Sequence, residues 1–178
     1  KLIWFHVASV GEMLSIFPLI EKLEKKKNLN SILITSSTLS SSKIFENYKF
    51  KKTIHQFFPI DLHFLTKLFI SYWKPSLVIF VESEIWPNIL TNLSKNKIPH
   101  ILLNARITKK TFKRWKYLGN FSKTLFKGFS KTFPQNNETS KFLKILGAQS
   151  IKKIGNLKFS ETENKNKYHL NFKMKNFF

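Results

Sequence analysis

The run Leu-Val-Ile-Phe-Val at positions 77–81 constrains this chain more than any other feature. It is too short for a core helix, and it has no polar residue at either parity. As a strand it must be buried on both faces, which is the condition of a parallel strand inside a covered sheet. Shorter apolar runs recur along the chain, each separated from the next by a longer amphipathic stretch. The periodicity predicts strands over 2–8, 31–35, 53–57, 77–81, 98–103, 131–133 and 151–154. It predicts helices over 11–26, 40–48, 62–73, 85–95, 109–126 and 138–146. Asp61, after Pro59, reads as the N-cap of the helix over 62–73, Pro87 falls in a first helical turn, and Gly147 closes the last helix. Strands alternating with helices predict βαβ units: an α/β fold with a parallel sheet and helices on both faces.

The pattern stops near Gly155. Residues 160–167 are polar and charged without helical or strand period, as in a linker, and 168–178 reads as the opening of a further unit. The division expected is a folded domain over 1–158, then a linker and the start of a second domain over 159–178. The first residue is not Met and the chain enters at once into a buried strand, so a fragment is expected, with room for an upstream membrane anchor. No apolar run approaches the ~18–20 residues that span a bilayer.

Charge narrows the partners. The 178 residues carry 31 basic against 10 acidic side chains, a net +21, which attracts polyanions: nucleic acid, anionic lipid or phosphorylated substrates. Arg106 and Arg114 are the only arginines, and base readers rely on arginine's bidentate fork, so sequence-specific nucleic-acid binding is disfavoured. The joint richness in Lys, Asn, Ile and Phe is also what an AT-rich genome encodes. Cysteine is absent, which removes disulfides and thiolate metal sites. The histidines show no ligand spacing, so no metal is assigned, and His6, inside a strand, reads as a satisfied core residue.

Ligands of open parallel sheets bind beyond the carboxyl ends of the strands. That rule selects Ser9, Gly11 and Glu12 after the first strand, and Thr35 and Ser36 at the end of the second. It also selects Glu82 and Glu84 after the apolar run, and Asn104 and Arg106 after the next strand. Glu12 either complements a helix N-terminus or serves as a general base at the mouth of a cleft. Glu82 and Glu84 either cap a helix and pair with Arg106, or bind hydroxyls and offset developing positive charge. No dinucleotide fingerprint, phosphate loop or nucleophile elbow is present.

The runs Trp4-Phe5-His6-Val7-Ala8-Ser9-Val10-Gly11-Glu12, Val81-Glu82-Ser83-Glu84-Ile85-Trp86-Pro87-Asn88, Leu103-Asn104-Ala105-Arg106 and Gly155-Asn156-Leu157-Lys158-Phe159 resemble the N-terminal part of 3-deoxy-D-manno-octulosonic acid (Kdo) transferases in order and spacing. The resemblance extends over roughly residues 3–160. Ser83 stands where that family often has Thr, and Pro134-Gln135-Asn136 where it often reads Ala-Gln-Ser.

The resemblance implies a Rossmann-like acceptor-binding domain of a B-type glycosyltransferase. Such an enzyme takes Kdo from CMP-Kdo to a phosphorylated lipid A precursor in lipopolysaccharide biosynthesis, with inversion and without a metal or other cofactor. It implies Glu12 as general base and Glu82 and Lys158 as transition-state stabilisers. Ser9, Gly11, Thr35, Ser36, Glu84, Asn104, Arg106 and Asn156 are the substrate-binding candidates. The expected location is the cytoplasmic face of the inner membrane, with the basic residues Lys109, Lys110, Lys113, Arg114 and Lys116, beside Trp115, facing anionic headgroups, and no nucleic acid as partner. The chain alone is expected to be inactive. Two other readings stay open: a basic α/β module that binds nucleic acid, and a B-type glycosyltransferase with a different sugar donor.

Overall fold

The computed structural model describes residues 1–153. Gly155, Asn156, Lys158 and the expected linker lie outside the described residues. Within them the order is β1 (Leu2–Val7), α1 (Val10–Glu24), β2 (Ser31–Ser36), α2 (Leu39–Glu46), β3 (Thr53–Phe57), α3 (His63–Trp73), β4 (Leu77–Val81), α4 (Pro87–Lys95), β5 (His100–Ala105), α5 (Lys109–Tyr117), α6 (Gly119–Gly128), β6 (Lys131–Pro134) and α7 (Asn137–Leu146). Among the described residues the strands form one six-stranded sheet, ordered β3-β2-β1-β4-β5-β6, and every pairing is parallel. This is the Rossmann-like α/β sheet that the strand–helix alternation predicts.

The central strands bury both of their faces, so the core splits into two layers. Phe5, Val7, Ile32, Ile34 and Val81 pack against Met13, Ile16 and Phe17 of α1. Trp4, Leu33, Val78, Phe80 and Leu102 pack on the opposite face against α3, α4, α6 and α7. Helices therefore change face between the β1–β2–β3 half and the β4–β5–β6 half. The reversal falls between β1 and β4, at the point where such sheets open a crevice for ligands.

Four expectations are corrected. Asp61 does not cap α3, whose start at Leu62 has no side-chain cap. Its carboxylate instead accepts the backbone N–H groups of Asn88 at 3.1 Å and Ile89 at 2.9 Å. Those are the second and third residues of α4, which begins with Pro87 and has no capping side chain at Trp86. The tertiary fold thus supplies from a distant loop the acceptor that local sequence lacks.

The helix expected over 109–126 is two helices, broken where Gly119 takes φ +53°. The turn lets α5 lie against α7, with Phe112 stacked on Phe142 at 4.2 Å, while Leu125 and Phe126 of α6 enter the core. The strand expected over 98–103 runs instead from His100 to Ala105, so that Asn104 lies within it, near its carboxyl end. Of the expected strand over 151–154, the described part makes an isolated bridge, Thr132 to Ile151.

Candidate active site

The residues Ser9-Val10-Gly11-Glu12 start α1 in a variant of the capping box, in which the carboxylate takes the N–H of Ala8, the residue before the N-cap. The Ser9 hydroxyl accepts the Glu12 N–H at 3.3 Å, and the Glu12 carboxylate reaches back to accept the Ala8 N–H at 2.9 Å and the Ser9 hydroxyl at 3.1 Å. Glu12 is thereby locked over the end of β1, and it is 8% exposed. Burial pushes its carboxyl above the usual carboxylate range. The Ala8 hydrogen bond opposes that shift, and the nearby charges of Glu82 and Glu84 add to it. A carboxylate with raised proton affinity, at the mouth of a crevice, has the properties of a general base.

Gly11, one residue before it, is exposed. A Cβ built there would meet no atom within 4 Å, so the fold has no internal need for glycine at this position.

Across the β1–β4 crevice, Glu82 leaves β4 with φ +58°, and Asn104 on the adjoining β5 has φ +54°. Both are buried. The left-handed region is unfavourable for residues with a Cβ, by about 1–3 kcal/mol where the surroundings enforce it. Here the neighbouring strand ends enforce it: Glu82 N–H donates to the Leu103 carbonyl at 2.9 Å, and Arg106 N–H donates to the Glu82 carbonyl at 3.2 Å. The Ser83 hydroxyl closes the link by donating to the Arg106 carbonyl at 2.7 Å. Gln135, on the β6–α7 connection, donates from its side chain to the Asn104 carbonyl at 3.0 Å. Two strained acidic or amide residues side by side at strand ends are a mark of a functional site rather than of stability.

Glu84 caps no helix, since Asp61 serves α4. Its Oε2 accepts from Trp86 Nε1 at 2.8 Å and lies 3.1 Å from His6 Nε2. Glu12, Glu82 and Glu84 therefore converge on the crevice, with Ser9, Gly11, Asn104 and Arg106 on the bordering strand ends. Thr35 and Ser36 are not brought to it. Both are fully buried; the Thr35 hydroxyl accepts the Trp4 indole N–H at 2.8 Å, and the Ser36 hydroxyl bonds His55 Nε2 at 2.8 Å. Among the described residues no group of three or more His, Cys, Asp or Glu is placed to hold a metal ion.

Sequence reasoning missed the roles of His6, Trp86 and Asp61. A histidine inside an otherwise apolar strand was the available signal. His6 is indeed buried and hydrogen-bonded, but one of its partners is a carboxylate of the site.

Away from these residues in sequence, α5 buries no residue of its own. Lys109 lies 3.8 Å from Glu138 and Lys116 sits over the Phe112 ring. Trp115 turns inward, edge-on to Phe126 at 5.5 Å, and Tyr117, at the α5–α6 turn, is 91% exposed. No helix among the described residues is long and apolar enough to cross a membrane.

The family model for 3-deoxy-D-manno-octulosonic-acid transferases (kdotransferases) matches residues 1–161. A 3-deoxy-D-manno-octulosonic acid transferase of Rickettsia typhi is 40% identical over 160 residues, covering 90% of this chain and 34% of the relative. That of Haemophilus influenzae is 29% identical over 164 residues, covering 91% and 38%. The chain thus spans little more than a third of the length of these relatives. Among solved structures, the S. aureus MnaA–UDP co-structure aligns with TM-score 0.63 at 16% identity, covering 96% of this chain and 50% of that one. The Neisseria meningitidis UDP-GlcNAc 2-epimerase aligns with TM-score 0.61 at 10% identity, covering 88% and 47%. At these identities the likeness is one of fold.

Proposed function

The chain belongs to the 3-deoxy-D-manno-octulosonic-acid transferase family, and we propose that it is the acceptor-binding domain of a B-type glycosyltransferase that moves Kdo from CMP-Kdo to a phosphorylated lipid A precursor. The observation that carries the reading is the placement of Glu12 at the sheet's switch point, with its proton affinity raised and Glu82 across the crevice.

In this mechanism the acceptor hydroxyl approaches over Gly11, where no side chain intervenes. Glu12 removes its proton as the oxygen bonds to the anomeric carbon. The bond from that carbon to the CMP phosphate breaks, and its electron pair leaves with CMP. The charge of Glu82 offsets the positive character that develops on the sugar ring. Attack opposite the departing phosphate inverts the anomeric centre. Lys158 and Asn156 take the family's roles near the donor, Lys158 offsetting the phosphate or the Kdo carboxylate. No metal or other cofactor is required, because a carboxylate base and a good leaving group suffice for the proton and charge changes.

The acceptor is a phosphorylated lipid, so the reaction belongs at a membrane surface, the cytoplasmic face of the inner membrane. Lys109, Lys110, Lys113, Arg114 and Lys116 on α5 suit anionic headgroups and the acceptor's phosphates. The test is to incubate the complete enzyme with lipid A precursor and either CMP-Kdo or UDP-GlcNAc, and to weigh the lipid product. A gain of Kdo mass from CMP-Kdo alone is expected. Transfer from the UDP-sugar, or none from CMP-Kdo, would overturn the donor assignment.

A further inference from the structure

His6 and Thr35 lie side by side on β1 and β2, in register and on the same face of the sheet. Both are fully buried, and they join two indole rings and a site carboxylate into one polar chain within the core. Trp4 Nε1 donates to Thr35 Oγ1 at 2.8 Å. Thr35 Oγ1 lies 3.0 Å from His6 Nδ1, and His6 Nε2 lies 3.1 Å from Glu84 Oε2. Trp86 Nε1 donates to the same Glu84 oxygen at 2.8 Å. The Phe58 ring stacks on the imidazole at 3.7 Å and 22°, which fixes its plane.

Hydrogen-bond chemistry favours one arrangement of protons in this chain when the imidazole is neutral. An indole N–H only donates and a carboxylate only accepts. Nε2 must therefore carry the ring proton and give it to Glu84, which leaves Nδ1 as an acceptor. Thr35 Oγ1, already accepting from Trp4, is the hydroxyl that can donate to Nδ1 at 3.0 Å, a shorter contact than its alternative acceptor, the Phe5 carbonyl at 3.4 Å. Burial lowers the proton affinity of His6, against the pull of Glu84, and so favours the neutral ring that this arrangement needs. The Thr35 carbonyl, 3.2 Å from Nδ1, would bond it only in the other tautomer or in the cation.

Glu84 Oε2 is thus held by two N–H donors from the core. Oε1 makes no hydrogen bond among the described residues, and the side chain keeps 13% exposure at the crevice. We propose that His6, its tautomer set by Trp4 and Thr35, is a positioning residue that turns Glu84 so that Oε1 binds a hydroxyl of the acceptor. The proposal rests on the glycosyltransferase reading above and adds to it a residue that acts through Glu84 without touching substrate. One ring nitrogen acting on a carboxylate while its other nitrogen is fixed by a hydroxyl is a standard way to set an imidazole's direction, and a site is only as well placed as the groups that hold it.

Two measurements test it. In the 15N-labelled chain, imidazole correlations should show His6 protonated at Nε2, and the signal should shift in Glu84→Ala. A proton on Nδ1, or no response to Glu84→Ala, would overturn the relay. In the complete enzyme, His6→Phe should raise the acceptor KM at least tenfold while leaving the donor KM unchanged. His6→Gln, whose amide nitrogen lies as many bonds from Cα as Nε2, should recover most of that loss. Equal KM for the two variants, or a change confined to kcat and melting temperature, would reduce His6 to a core residue. If the wild-type enzyme transfers no Kdo at all, the reaction reading fails by that result, while the imidazole spectrum still decides how Glu84 is held.

Discussion

Replacing Glu12 with Gln in the complete enzyme separates catalysis from architecture at one position. Gln keeps a carbonyl oxygen that can accept the Ala8 N–H, now 2.9 Å from Glu12 Oε2, so the capping box loses little. What disappears is the base that the proposed mechanism requires. General-base catalysis is worth a factor of about 10²–10⁴ in rate, or roughly 3–5 kcal/mol of barrier, and the acceptor KM should change far less than kcat.

Stability should move the other way. The folded state raises the Glu12 pKa above the ordinary value of 4.5, through burial and the charges of Glu82 and Glu84. A group raised in this way favours folding fully below its unfolded pKa, and that contribution is lost as pH rises through the folded pKa. Above its raised pKa the wild type therefore carries an ionised Glu12 at a disadvantage that Gln removes. Glu12→Gln should melt no lower than wild type at pH 7, and the comparison should shift toward the wild type as pH falls through the window between the two pKa values. The wild-type rate should rise with pH through the elevated Glu12 pKa, and the residual rate of the variant should not track it. Melting curves from pH 4 to pH 8 with single-turnover rates supply both readouts. A rate within threefold of wild type, or a rate loss that tracks a lower melting temperature, would refute the assignment.

Asp61→Ala should cost about 0.5–2 kcal/mol in urea unfolding. The lost cap should appear as faster amide exchange at Asn88 and Ile89 of α4 rather than at the start of α3. Gly119→Ala should destabilise by roughly 1–2 kcal/mol, because it puts a Cβ at φ +53°, and thermal melting will show it. Gly11→Ala should leave stability within about 0.5 kcal/mol, since its Cβ meets nothing, yet it should weaken acceptor binding by calorimetry if the hydroxyl passes over that position. In a salt titration the chain should keep its hold on anionic vesicles better than on random duplex DNA; preference for DNA at physiological salt would favour the nucleic-acid reading.

The α/β class, the sheet's buried strands and the strand ends that carry Glu12, Glu82, Glu84, Asn104 and Arg106 were all legible in the sequence. The reason is that hydrophobic period and chain order are local quantities: a fully apolar 77–81 can only be an interior strand, and the residues just after such a strand lie at the edge where ligands bind. The same local reasoning failed at Asp61. Its sequence neighbours offered a helix start, but the N–H groups left unserved by Pro87 lay across the fold.

It failed at Thr35 and Ser36 as well. They sit at the end of a strand, yet their hydroxyls turn into the core toward Trp4 and His55. The break at Gly119 was equally silent, because either one long helix or two short ones fits an amphipathic pattern, and packing of Phe112 on Phe142 decides. His6 shows the division most clearly. Its place inside an apolar strand puts it in the core, but whether its ring nitrogen meets a backbone carbonyl or a site carboxylate depends on which strands become neighbours. That order, β2-β1-β4, is a property of the folded sheet and of no segment by itself. Sequence determined which strands are buried and which residues follow them; tertiary structure decided which polar groups face one another, because hydrogen bonds between segments far apart in the chain form only once the strands are ordered.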